Sequence, residues 1–180
     1  MARGNNKRNV FHHPDDFTAF MDRLQLCINE SLETHHFCLM TNHYHLLIKA
    51  DTAETLSKFM HRLQRLYHHY YRRKHAYFGH LFQGRYKSIV INNESHLLDC
   101  GRYIERNPVR AGLVKHPKDW KYSSFRHYAC RRSDKPIWLT YSPAFLGLST
   151  DEEERMRLYE KHVAEERAYE AIVDKHLHKS

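Results

Sequence analysis

No run of about 18 apolar residues, the length a membrane helix needs, occurs in the chain of 180 residues. The four cysteines, Cys27, Cys38, Cys100 and Cys130, form no CxxC pair, which argues against a zinc ribbon. The opening residues, Met1-Ala2-Arg3-Gly4-Asn5, hold no apolar stretch of the kind a secretory leader requires. The thiols therefore read as reduced and mostly buried, and the expected location is cytoplasmic. There is no internal repeat and no low-complexity tract. Acidic residues are in deficit, with 21 Asp and Glu against 29 Lys and Arg and a net charge of +8. A basic chain without a membrane segment most often meets nucleic acid or another acidic partner. Charge alone leaves open a basic protein with no such partner.

What is present suggests one domain with a tail. Pro14-Asp15-Asp16 opens a helix with its acids at the positive end of the dipole. Phe17, Phe20, Met21, Leu24 and Ile28 line its apolar face, and its end is expected between residues 30 and 33. His36 to Met40 and His43 to Ile48 read as the strands of a hairpin that turns at Thr41-Asn42. Residues 53–75 carry the clearest helical pattern, with Leu56, Phe59, Met60, Leu63, Leu66, Tyr67 and Tyr70 on one face. Another face carries Lys58, Arg62, Arg65, His69 and Arg72. That basic stripe is either a solvated surface or a row of phosphate contacts. Arg85 to Ile91 alternates weakly and reads as a further strand. Asn93 or Ser95 caps a helix through Leu97, Leu98, Gly101 and Ile104, which Asn107-Pro108 is expected to interrupt. Residues 115–148 are irregular. Thr150-Asp151-Glu152-Glu153 then caps a charged last helix, read as a docking arm or a solvated tail.

Two groups of residues have the makings of chemistry. In a strand, residues two apart point the same way, so His43 and His45 project from one face within reach of a single divalent ion. The chain has 17 histidines, and a pair of hydrogen-bonded structural histidines would look the same. Tyr103 and Asn107 lie one helical turn apart on the polar side of their helix. A phenol with a pKa near 10 is a poor nucleophile at neutral pH, and a nearby cation that polarises a phosphate offsets this. Asn107 offers a neutral oxygen ligand beside it. Tyr103 could equally be a packing residue, as most of the 12 tyrosines must be.

The stretches Phe37–Ile48, Gly79–Lys87 and Arg102–Val114, followed by Trp120-Lys121-Tyr122-Ser123-Ser124, resemble the single-tyrosine transposases of the HUH superfamily, nearest to the REP-associated branch. The likeness runs in order from about Arg3 to about Tyr128. It implies an α+β fold, an antiparallel sheet with helices packed on it, ferredoxin-like. It implies His43, His45 and Asn107 as ligands of Mg²⁺ or Mn²⁺, and Tyr103 as a nucleophile that forms a 5′-phosphotyrosine link and frees a 3′-OH. The implied partner is single-stranded DNA beside imperfect hairpins, bound by a monomer or a homodimer. Candidate DNA contacts are Lys58, Arg62, Arg65 and Arg72 on the stripe, with Arg85, Lys87 and Arg110 in the resembling stretches. Residues 1–130 would form the catalytic domain and 131–180 a C-terminal irregular segment with a charged helix. One departure stands out, because the family's first strand is expected to be missing ahead of Arg3-Gly4-Asn5. The rival function is a catalytically inactive DNA-binding relative, truncated or decayed. A more distant one is a histidine-rich metal binder with no nucleic-acid role.

Overall fold

The turn at Thr41-Asn42 brings two strands side by side, and this hairpin is the centre of the fold. The computed structural model describes residues 1–131 and 134–165. The sheet is antiparallel, with β1 (Ala2–Arg3), β2 (Leu32–Leu39) and β3 (His43–Ala50) in the order β1-β3-β2. The register pairs Leu39 with Tyr44, Cys38 with His45, Phe37 with Leu46 and His36 with Leu47. Alternation then sorts the side chains. Phe37, Leu39 and Tyr44 enter one core, while Cys38 and Leu47 enter another.

Each face has its own helical cover. α1 (Pro14–Cys27) and α2 (Ala53–His75) close the first. Phe20, Leu24, Phe59, Leu63 and Tyr67 meet Tyr44 there, each burial worth roughly 1.5–3 kcal/mol. α3 (Glu94–Arg110) lies on the second face, where Tyr103 and Ile104 join Cys38, Met40 and Leu47. Three further helices complete this layer: α5 (Pro143–Leu146) and α6 (Glu152–Ala164) pack on α3, and α4 (Phe125–Ala129) packs on α6. No helix among the described residues is long and apolar enough to cross a membrane.

The expected architecture of an antiparallel sheet covered by helices is observed. β1 has two residues and pairs only with His43 and Tyr44 of β3. Several local expectations fail for physical reasons. α1 stops at Cys27, earlier than expected, because Ile28 is already extended and Leu32 must pair with Ala50. Arg85 to Ile91 forms no strand, and Val90 is 81% exposed. A strand needs a continuous ladder to a neighbour, and this segment makes only scattered backbone bonds. The contacts made are an isolated bridge between Gly4 and Phe82 and backbone bonds from Gln83 to Arg3 and from Lys87 to Met1.

α3 also runs unbroken through Pro108. Its last helix neighbour, α6, is capped by Asp151, whose side chain accepts from the Glu154 N–H at 2.7 Å, instead of by Thr150. α6 is neither an arm nor a solvated tail. It buries Tyr159 and Val163 against Phe125, Tyr128 and Phe145. Arg106 of α3 donates to the Val163 and Ala164 carbonyls at the C-terminal end of α6, where a cation is favoured. Of the expected C-terminal unit, residues 132–133 and 166–180 lie outside the described residues.

Candidate active site

Strand alternation puts His43 and His45 on the α3 side of the sheet. Their rings are 5.0 Å apart, nearly perpendicular. Tyr103 descends from α3 and meets the His45 ring edge-on at 5.7 Å. Tyr103 is 2% exposed, and the Arg110 guanidinium lies over its ring at 5.2 Å. The structure thus brings together four of the expected residues, two imidazoles from β3 and a phenol and a guanidinium from α3.

The tautomer of His43 follows from its neighbours. The Asn42 amide nitrogen donates to the Lys7 carbonyl at 3.2 Å, which fixes which way the amide faces. Its Oδ1 therefore faces His43 Nδ1 at 2.6 Å, and an amide oxygen can only accept. With Nδ1 donating to Asn42, Nε2 is the ring atom that can present a lone pair to a metal when the imidazole is neutral.

Asn107 lies one turn beyond Tyr103. Its amide nitrogen donates to the Tyr103 carbonyl at 2.7 Å and to the Ile104 carbonyl at 3.3 Å. The second bond explains why Pro108 does not break the helix. Proline lacks the N–H that Ile104 would have received, and Asn107 replaces it. With the nitrogen so used, only Oδ1 can serve as a ligand. Among the described residues no group of three or more His, Cys, Asp or Glu gathers to hold a metal. A cation here would draw on two imidazoles and one amide oxygen. Such a donor set is compatible with a divalent ion that completes its shell with water or phosphate.

The remaining expected residues are dispersed. Lys58, Arg62, Arg65 and Arg72 are exposed on α2, in the layer opposite α3. Lys58 is paired with Glu54 at 2.7 Å. Arg23, His69, Tyr70, Arg73 and Lys74 line a shallow basic recess in that same layer, away from Tyr103. Arg85 and Lys87 are exposed on the segment that flanks β1.

Sequence reasoning passed over a buried polar cluster behind the site. Glu105 Oε1 accepts from Ser124 Oγ at 2.5 Å and meets His36 Nδ1 at 2.9 Å, while Oε2 accepts from Tyr159 at 2.8 Å. All four side chains are buried. The cluster ties α3 to β2, to the start of α4 and to α6. Gly101 permits the approach, since a Cβ there would come within 2.7–3.0 Å of the His36 ring. A signal was available, because Glu105 stands one turn from Gly101 on the apolar side of the helix.

Comparison with known proteins bears on this arrangement. Residues 1–107 match the family described as "Transposase IS200 like". A putative REP-associated tyrosine transposase from Haemophilus influenzae is 28% identical over 111 residues, 56% of this chain. The chain spans 63% of that relative's length. A solved structure of a REP-associated tyrosine transposase bound to a REP hairpin is similar with a TM-score of 0.60 at 17% identity. That likeness covers 77% of this chain and 81% of the other, and it concerns the fold.

Proposed function

The chain belongs to the IS200-like transposases, and on that premise we propose that it cuts and rejoins single-stranded DNA beside imperfect hairpins, with Tyr103 as nucleophile. The observation that carries this reading is the Tyr103 ring set edge-on against His45 at 5.7 Å, with His43 alongside. The Tyr103 oxygen attacks a DNA phosphorus and gives its proton to solvent. The bond from phosphorus to the 3′ oxygen breaks, and that oxygen leaves as a hydroxyl. The products are a 5′-phosphotyrosine and a free 3′-OH. Attack by a 3′-OH on the phosphotyrosine reverses the step, restores a phosphodiester and returns the phenol, so no nucleotide triphosphate is consumed.

His43, His45 and Oδ1 of Asn107 would hold Mg²⁺ or Mn²⁺, which supplies positive charge against the phosphate oxygens when bound. The chain's own residues do the rest. Tyr103 is nearly fully covered, so DNA must uncover its hydroxyl. Arg110 lies over the ring while exposed itself, and its fork of donors is suited to a phosphate. Drawing Arg110 onto the DNA would uncover one face of the Tyr103 ring. Lys58, Arg62, Arg65, Arg72, Arg85 and Lys87 are assigned to backbone contacts further out.

The test uses a labelled DNA hairpin with a single-stranded flank, incubated with the protein and Mn²⁺. Unaltered protein should give a covalent adduct that survives a denaturing gel, and EDTA should abolish it. Tyr103→Phe should lose adduct and cleavage while still binding the hairpin. An adduct from Tyr103→Phe, or cleavage in EDTA, would overturn this mechanism.

A further inference from the structure

Phe78 is 80% exposed, in the segment that follows α2. It is not a loose side chain on a floppy loop. Ala76 ends α2 in the left-handed region at φ 47°, with its N–H on the Arg72 carbonyl. The Tyr77 hydroxyl donates to the His80 carbonyl at 3.0 Å. Beyond it Leu81 is buried, its carbonyl accepts from the Asn5 N–H at 2.8 Å, and Phe82 bridges to Gly4. A large aromatic ring is therefore held in water by fixed backbone on both sides.

Cations surround it. The Arg72 guanidinium lies 5.9 Å from the centre of the Phe78 ring, and Arg8 lies 4.7 Å above the neighbouring Tyr77 ring. Arg8, Arg72, Arg73 and His80 are all exposed. A rigid exposed aromatic among arginines matches what an unpaired nucleotide needs, a flat apolar face for the base and positive charge for its phosphate.

The place in the fold fits as well. Arg8 follows Lys7, whose carbonyl accepts from Asn42, and Asn42 in turn holds Nδ1 of His43. A short series of contacts thus runs from the histidine pair through Asn42, Lys7, Arg8 and Tyr77 to Phe78. In the sheet direction, His43 pairs with Arg3, and Arg3 bonds to Gln83. Two strand spacings, roughly 10 Å, separate His43 from the segment that Phe78 leads into.

We propose that Phe78, flanked by Arg72 and Arg8, is a stacking platform for an unpaired base of the DNA strand that leads away from the site. This rests on the reading of the protein as a single-stranded DNA enzyme and adds the place where the strand is gripped. The platform accepts any base, because stacking on the ring reads no hydrogen-bonding edge, and it contributes affinity more than sequence choice.

Binding of a labelled hairpin with a single-stranded flank tests it, using unaltered protein, Phe78→Ala, Phe78→Leu and Phe78→Trp. Phe78→Ala should weaken binding about tenfold or more, with the melting temperature unchanged because the ring is exposed. Phe78→Trp should retain affinity, and the added tryptophan emission should be quenched on titration with DNA. The loss should disappear when the flank is deleted from the DNA. Unchanged affinity of Phe78→Ala, or full affinity of Phe78→Leu, would overturn the platform while leaving the function above intact. A change in oligomeric state with DNA affinity unaltered would show instead that the ring meets a second protein. Failure of the unaltered protein to bind the hairpin at all would sink both readings.

Discussion

At Asn107 one side chain answers two requirements. Its amide nitrogen supplies the donor that Pro108 withholds from Ile104, and the remaining Oδ1 is the oxygen assigned to a metal. Substitutions can separate these roles. Asn107→Ala removes both, leaves a buried carbonyl unsatisfied and should cost about 1–2 kcal/mol of stability. It should also weaken Mn²⁺ binding. Asn107→Asp keeps an oxygen ligand and adds charge but loses the donors. It should melt as early as Asn107→Ala in metal-free buffer yet bind Mn²⁺ at least as tightly as the unaltered protein. Melting curves with and without Mn²⁺, together with calorimetric titration, read out both effects. If Asn107→Ala binds Mn²⁺ undiminished, the residue leaves the ligand set and only its helix role stands.

Between elements, the contacts that matter most are buried and polar. Asp16 sits at the start of α1 with its carboxyl buried. Burial by itself pushes that carboxyl up. The His12 N–H, the His75 ring, the His13 N–H and the Tyr70 hydroxyl outweigh burial and hold it at about 2. His75 and Tyr70 belong to the end of α2, each 3.0 Å from Oδ1, so Asp16 fastens the two helices of one layer. Its folded pKa lies below the ordinary value of 3.8. The stabilisation is therefore complete above pH 4 or so and is lost as pH falls toward 2. Asp16→Asn should be less stable by about 2 kcal/mol near neutrality, and the deficit should shrink on acidification through that window. Denaturant melts across pH 2 to 7 would show it, and a constant deficit would mean that the charge is not what binds α1 to α2. How far such elements were legible in the sequence depended on whether their cause was local. Helix 53–75 and the hairpin turn at Thr41-Asn42 were readable because periodicity and turn chemistry lie within a few residues. The absent strand at 85–91 was not, since pairing depends on a neighbour far away in sequence, and alternation within seven residues does not record it. Pro108 misled because the repair by Asn107 is a side-chain bond that no propensity records. His43, His45 and Tyr103 were found by type and spacing. Glu105 was not, since its partners His36, Ser124 and Tyr159 come from three distant segments.

Across the whole molecule the charge of +8 is spread over both layers, and the two layers should meet different parts of the DNA. Arg110 lies over Tyr103 on the α3 side. Arg62 and Arg65 are exposed on α2, on the other side of the sheet. A single strand led from Tyr103 to Phe78 meets only the C-terminal end of α2, whereas a duplex stem can extend along the helix to Arg62 and Arg65. Each phosphate contact releases counterions, so affinity falls with salt by about 0.7 log units per decade for a single strand and about 0.9 for a duplex. Arg110→Ala should lower the salt slope by about 0.7 on single-stranded flank and on hairpin alike. The pair Arg62→Ala and Arg65→Ala should leave the slope on the flank alone unchanged and lower it by about 1.8 on the hairpin, two duplex contacts' worth. Affinities measured from about 50 to 200 mM salt on both DNAs decide the matter. An unchanged hairpin slope in the Arg62, Arg65 pair would make that part of α2 an ordinary solvated face.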